Sequence, residues 1–326
     1  VEKQDDLIIH SKGAIPMDGN ITTTNSEKPA TENTGAYATE NDVFDLYDEY
    51  CHTGMERREF LTRAAALTLV GGISGLAMAQ ALLPRYANAQ MVSFTDTRMT
   101  ANYVTYDSPG GNSGKMRGYL VKPAGDGPFP AVLVIHENRG LNPYIEDVAR
   151  RAAVEGFVAL APDGLYPVGG YPGNDDDGKQ LQRGLDRDKL QMDMLNSAKF
   201  LKSHELSTGK IGATGFCWGG GAVNKLAVSL GADMQAGVPF YGAAVTSGVE
   251  NIKAPLMVQY AENDPRINAM RPGFEAALKT AGAKFEMHTY PGTKHGFHNN
   301  STPRYDKDAA KLAWDRTIAF FKANLA

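Results

Sequence analysis

The run Ala131-Val132-Leu133-Val134-Ile135 contains no polar side chain and is closed by Pro130 and His136. Five apolar residues without alternation suit a strand buried on both faces, as in a parallel sheet covered by helices. Related signals follow along the chain. Residues 157–161 are apolar and stop at Pro162-Asp163-Gly164, and strands are expected at 210–215, 236–241, 256–260 and 284–290. Helical spacing at Tyr144, Val148, Arg151 and Ala152 separates the first two strands. Further helices are expected near 189–204, from about Gly219, and over 306–325 with Leu312, Trp314, Ile318 and Phe321 inside. Strands separated by helices predict an α/β fold, with a mainly parallel twisted sheet and helices on both faces.

Charge and composition exclude several alternatives. The 326 residues hold 33 basic and 37 acidic side chains, so bulk charge does not suggest a nucleic-acid partner. Hydrophobic residues at 42% are enough for a sizeable core. The acidity is uneven: residues 1–54 carry three lysines against eleven acids, and 11–40 are mostly small or polar. Such a segment buries too little apolar surface to offset chain ordering, so 1–54 reads as an extended arm. A short helix is expected at its end, capped by Asn41 and carrying Val43, Phe44, Leu46, Tyr47 and Tyr50 on one face.

Residues 55–89 form a different segment. Arg57-Arg58-Glu59-Phe60-Leu61, an uncharged stretch over 64–83 and Ala87-Asn88-Ala89 resemble a twin-arginine export signal. Used that way, the segment implies a periplasmic protein. Otherwise it is an Ala-rich helix packed on the body or on a second subunit of a homo-oligomer, and the protein is cytoplasmic. Gly71, Gly72, Ser74 and Gly75 interrupt it and count against a membrane span. The third segment, 90–326, holds the chemistry.

Gly215-Phe216-Cys217-Trp218-Gly219-Gly220 lies between an expected strand and helix. Gly-x-nucleophile-x-Gly at such a junction is a nucleophile elbow, which lifts the cysteine above the sheet at a helix N-terminus. The bland alternative is a glycine-rich turn around an inert cysteine. Asp264, just past a strand, and His295, in a loop after the next, follow in the order nucleophile, acid, histidine. Asp264 is expected to orient the imidazole, and His295 to handle the thiol proton. His136-Glu137-Asn138-Arg139-Gly140 ends another strand. From it the N–H of Asn138, with that of Trp218, is expected to form an oxyanion hole, and Glu137 is a candidate holder of the thiol proton.

With these motifs, residues from about 95 to 325 resemble the dienelactone hydrolase family within the α/β-hydrolase fold. The resemblance rests on His136-Glu137, Gly215 to Gly220, Asp264 and His295-Gly296-Phe297. It implies that Cys217 attacks a lactone carbonyl, that Glu137 helps make the thiolate, and that water resolves an acyl-enzyme. It implies no metal or organic cofactor. The pocket departs from the family: Tyr166 is kept, but Pro167-Val168 and Gly296 stand where carboxylate-gripping arginines are expected. Arg139 and Arg304 are candidate replacements, and Tyr166, Phe297 and Arg139 candidate pocket residues.

His295-x-x-His298 lies on a loop without a third ligand at metal spacing, so His298 reads as a rim neighbour. Asp175-Asp176-Asp177 lacks a calcium-loop pattern and reads as a solvated loop. Cys51 reads as a free thiol. The expectation is a hydrolase of a small ester or lactone. A thioesterase or acyl transferase with the same triad, or a non-catalytic scaffold in an assembly, are the alternatives.

Overall fold

A computed structural model of the chain describes residues 38–67, 74–86 and 89–326. Most of the expected arm, with Gly71, Gly72, Ala87 and Asn88 of the export-like segment, lies outside the described residues. Three helices come first: α1 (Glu40–His52), α2 (Arg57–Ala65) and α3 (Gly75–Ala81). Eight strands and seven further helices follow. They are β1 (Met99–Asp107), β2 (Lys115–Pro123), β3 (Phe129–Ile135), α4 (Pro143–Val154), β4 (Val158–Pro162), α5 (Asp175–Gly184) and α6 (Arg187–Ser203). Then come β5 (Ser207–Phe216), α7 (Trp218–Leu230), β6 (Ala236–Phe240), β7 (Leu256–Asn263), α8 (Pro265–Asn268), α9 (Arg271–Thr280), β8 (Phe285–Lys294) and α10 (Lys307–Leu325).

All eight strands join one sheet in the order β1-β2-β4-β3-β5-β6-β7-β8. The β1–β2 and β2–β4 pairs are antiparallel, and every other pair is parallel. The uninterrupted apolar run of β3 now has its cause. Val132 and Val134 face a core built with α4 and α10, whereas Ala131, Leu133 and Ile135 face a second core built with α6, α7 and α9. Both sides of the strand are dry, so neither tolerates a polar residue. Each such Val, Leu or Ile side chain contributes about 1.5–3 kcal/mol by burial.

Several local expectations are corrected. Asn41 is not the cap of α1: the Thr39 hydroxyl accepts from the Asp42 N–H while the Asp42 carboxylate accepts from Thr39, a reciprocal capping box. Asp175 to Asp177 are not a free loop but the first turn of α5, where carboxylates favour the helix dipole and Asn174 caps the Asp177 N–H. Leu312 is exposed, because the buried stripe of α10 runs through Ala310, Ala313, Thr317, Ile318, Phe321 and Leu325. The stretch 64–83 is not one helix, since α2 ends at Ala65 and α3 starts at Gly75. The hairpin β1–β2 was not anticipated. Among the described residues no helix is long and apolar enough to cross a membrane.

Helices α1–α3 share their own small core, centred on Val43, Tyr47, Tyr50, Phe60 and Ala64. Helix α1 reaches the body mainly through polar groups. The Lys179 ammonium donates to the carbonyls of Tyr50 (2.8 Å), in the last turn of α1, and Met55 (3.1 Å), just beyond it. Asn138 donates to the Cys51 carbonyl at 2.7 Å. The Arg304 guanidinium lies 4.6 Å over the Tyr47 ring, and Lys294 lies 4.6 Å over that of Phe44. These contacts bring the end of α1 to the top of the sheet.

Candidate active site

The turn between β5 and α7 is shaped by its glycines. A Cβ on Gly215 would run into the Gly219 carbonyl, and one on Gly219 would run into the carbonyls of Ile135 and His136. Cys217 sits between them at φ 56° and ψ −114°, a region that costs a non-glycine residue about 1–3 kcal/mol. The turn leaves the sulfur at the N-terminus of α7, where the helix dipole favours negative charge. Trp218 is the first residue of that helix, so its N–H has no intrahelical acceptor and is available to a bound oxyanion.

Asp264 and His295 come from the ends of β7 and β8. The Asp264 carboxylate caps the short helix α8 through the Ile267 N–H, and its other oxygen meets His295 Nδ1 at 2.6 Å. Both side chains are buried. The remaining ring nitrogen of His295, Nε2, is buried and has no hydrogen-bond partner. A ring nitrogen of His295 lies within 4.8 Å of the Cys217 sulfur. Cys217, Asp264 and His295, 78 residues apart at the extremes of their order, therefore meet at one end of the sheet.

A fourth group joins them that sequence reasoning missed. His52, the last residue of α1, places Nε2 at 3.4 Å from the Cys217 sulfur. Its ring stands edge-on to that of His295, with centroids 4.7 Å apart. Its Nδ1 is held by the Asp48 carbonyl at 2.8 Å and faces the Asp48 carboxylate at 3.2 Å. No spacing rule links residue 52 to residue 217. The only signal was that Cys51-His52 closes an amphipathic helix.

The charges reinforce one another. Burial alone would raise the Cys217 thiol, but the imidazoles of His295 and His52 outweigh it and hold the thiol well below 9.0. Burial opposes charge on His295, yet Cys217 and Asp264 push it up to about 9. Burial likewise opposes charge on His52, and Cys217 with Asp48 pushes it up to about 10. A thiolate between protonated imidazoles is the state these shifts describe. Asp264 is lowered: burial opposes this, and His295 prevails.

The other expected residues take different places. His136 is buried and neutral. It accepts from the Gly164 N–H through Nε2, which leaves Nδ1 to donate to the Glu137 carbonyl, and its ring stacks on Trp218. Glu137 is buried beneath the site and accepts from Asn299 at 3.1 Å, with its carboxyl raised chiefly by burial and partly restrained by Arg139. Its carboxylate makes no hydrogen bond to Cys217. The Asn138 side chain is spent on α1, which leaves its backbone N–H for the role expected of it.

Three of the expected pocket residues do not line the cavity at the nucleophile. Phe297 is fully buried between Tyr241 and Tyr290. Arg139 pairs with Asp175 at 2.6 Å and donates to the Cys51 sulfur at 2.7 Å. Tyr166 lies under the Arg117 guanidinium. Arg304, the other suggested replacement, is buried against Tyr47. His298 is not at the rim, since it is buried with Nδ1 at 2.7 Å from the Tyr144 hydroxyl. Cys51 is a free thiol, as expected, but it lies beside the site rather than apart from it. A cavity of about 420 Å³ opens over His52, Cys217, Trp218 and Tyr241. Its wall carries Lys179, Arg183, Arg187, Lys225 and Arg266 and no carboxylate.

Comparison with known proteins agrees with this architecture. Residues 116–325 match the profile of the "Dienelactone hydrolase family", and residues 37–67 match a separate "YqhI-like" profile. A relative in Escherichia coli K12 named "Putative hydrolase fragment YghX" is 61% identical over 115 residues, covering 35% of this chain and 97% of its own length. A "Putative carboxymethylenebutenolidase" from Saccharolobus solfataricus is 32% identical over 257 residues, covering 67% of this chain and 97% of its own. Among solved structures, a "Putative Dienelactone Hydrolase" from Klebsiella pneumoniae superposes with a TM-score of 0.59 at 26% identity, over 68% of this chain and 99% of that one. The match through 116–325, on a sheet of this order, shows that the chain belongs to the dienelactone hydrolase family and is a carboxylic ester hydrolase.

Proposed function

We propose that the protein cleaves a small ester or lactone by nucleophilic attack of Cys217 and a covalent acyl-enzyme. The observation that carries this reading is the placement of a strained cysteine at a helix N-terminus, beside a histidine held by a buried aspartate. The thiolate attacks the carbonyl carbon, and the oxygen that becomes negative is received by the N–H groups of Trp218 and Asn138. Each donor contributes about 3 kcal/mol to that state. As the tetrahedral intermediate collapses, the C–O bond to the leaving group breaks and the His295 imidazolium gives its proton to the departing oxygen. Neutral His295 then takes a proton from water, whose oxygen attacks the thioester. The acid leaves and the thiolate–imidazolium pair is restored. Asp264 stabilises His295 while it is charged and fixes its orientation. Glu137 needs no direct bond to the sulfur in this cycle.

The cavity wall supports a substrate that carries negative charge. The arginines expected from the family resemblance are missing from their positions, but five other cations line the approach to Cys217; no carboxylate among the described residues lines the cavity, although Arg266 also lies 3.9 Å from Asp48. An ester or lactone with a free carboxylate is the class such a wall favours. The same triad would serve a thioesterase or acyl transferase, which differ only in leaving group and acceptor. Stopped-flow hydrolysis of an activated aryl ester tests the reading. A burst of phenolate stoichiometric with enzyme is expected, and steady turnover without a burst in wild type, unchanged in Cys217→Ala, would refute it.

A further inference from the structure

Beyond the ester chemistry, His52 has no part in the triad, yet it joins two triad members in one cluster. His52 Nε2, the Cys217 sulfur and a ring nitrogen of His295 all lie within 4.8 Å of one another. The sulfur and His52 Nε2 are 3.4 Å apart, close to the ligand–ligand edge of a tetrahedron with bonds of about 2.0–2.3 Å. Each imidazole is anchored on the far side, His295 by the Asp264 carboxylate and His52 by the Asp48 carbonyl and carboxylate. A metal-binding histidine is held in this way, with the remote nitrogen fixed and the other free to ligate. With Nδ1 bonded to Asp264, His295 Nε2 is buried and has no hydrogen-bond partner among the described residues.

We propose that His52, Cys217 and His295 form a binding site for a thiophilic divalent cation of the Zn²⁺ type. The three protein ligands leave a fourth position open to the cavity, where water or a substrate carboxylate completes the shell. Loading replaces protons: Cys217 binds as thiolate and both histidines through neutral Nε2, the displaced protons go to solvent, and nothing is oxidised. The bound cation withdraws the sulfur lone pair from the carbonyl, so metal loading and ester cleavage exclude each other. The cationic wall of the cavity opposes the site, Arg266 most directly. Arg266 lies 3.0 Å from His52 Nε2 and must turn away, which its exposed side chain permits.

Cobalt titration of the chelator-treated full chain tests the proposal by absorbance, independently of turnover. One Co²⁺ per chain is expected, with a near-ultraviolet sulfur-to-metal band that Zn²⁺ displaces. Cys217→Ser should abolish the band, and His52→Ala should weaken binding at least about tenfold, the scale set by lost metal-site contacts. His52→Cys guards against a mere loss of α1 docking, since a second thiolate should restore binding and strengthen the band. Arg266→Ala should tighten binding. Absence of stoichiometric binding, or binding in His52→Ala equal to wild type, overturns the proposal. Metal binding without any acyl-enzyme would instead overturn the hydrolytic reading and leave the metal site standing.

Discussion

Strand β3 and helix α1 both end beside Cys217, and different forces bring them there. β3 lies in the middle of the sheet with apolar side chains buried on both faces, so its position is set by two continuous cores. Helix α1 belongs to a separate and much smaller core shared with α2 and α3. It meets the body through Lys179, Asn138, Arg139, Lys294 and Arg304. The first kind of contact is non-directional and cooperative, whereas the second is polar and resembles an interface between domains. Cys217, Asp264 and His295 therefore ride on the rigid part of the molecule. His52 rides on the N-terminal helices, which these polar contacts are expected to let loosen separately.

The largest effect should come from the rigid part. Cys217→Ser is expected to lower kcat/KM by at least about 10³-fold without unfolding the protein, and Asp264→Asn by about 10²–10⁴-fold through loss of the imidazole's orientation. Equal activity in either variant would remove the distinction between the two regions at its catalytic end. Next in size is the core of the N-terminal helices. Phe60→Ala empties a fully buried site stacked on Tyr50 and should cost about 3–5 kcal/mol there. Hydrogen exchange should show α1 and α2 losing protection while β3 and β5 keep theirs. Joint loss would mean that the regions form one cooperative unit.

A smaller effect is expected where the regions touch. Lys179→Met leaves the carbonyls of Tyr50 and Met55 without their donor and should weaken α1 docking by about 1–3 kcal/mol, read by the same exchange experiment. The smallest change sharpens the view of the rigid part. Burial raises the Glu137 carboxyl above 4.5, so its ionised form opposes folding. That penalty is absent below pH 4.5 and grows as pH rises through the raised folded value. Glu137→Gln keeps an acceptor for Asn299 and carries no charge. It should therefore melt above wild type at pH 8, with the advantage vanishing near pH 4 in thermal scans.

The same contrast explains what could be read along the chain. The strands β3 to β8 and the helices α4, α6, α7 and α10 announce themselves through local apolar runs, whereas α5 reads as a loop and α8 and α9 give no such signal, and the glycines around Cys217 mark the elbow because no side chain fits there. Asp264 and His295 were legible from order and from their places after strands. By contrast β1 is an edge strand whose faces are mostly half-buried or exposed, which leaves no clean alternation to detect. Asp175 looked solvated because its partner Arg139 lies 36 residues earlier. His52 was invisible for the same reason on a larger scale. Its role depends on a contact across 165 residues, set by a polar interface that follows no periodicity.

Cys217 is the residue proposed to carry the acyl group. Acid-quenched mixtures of enzyme and a slowly hydrolysed aryl ester, followed by intact-mass and peptide mass spectrometry, test it directly. One acyl group per chain is expected, located on the peptide containing Cys217 and absent in Cys217→Ala. Turnover of the same ester with no modified Cys217 peptide, or undiminished turnover by Cys217→Ala, would contradict it.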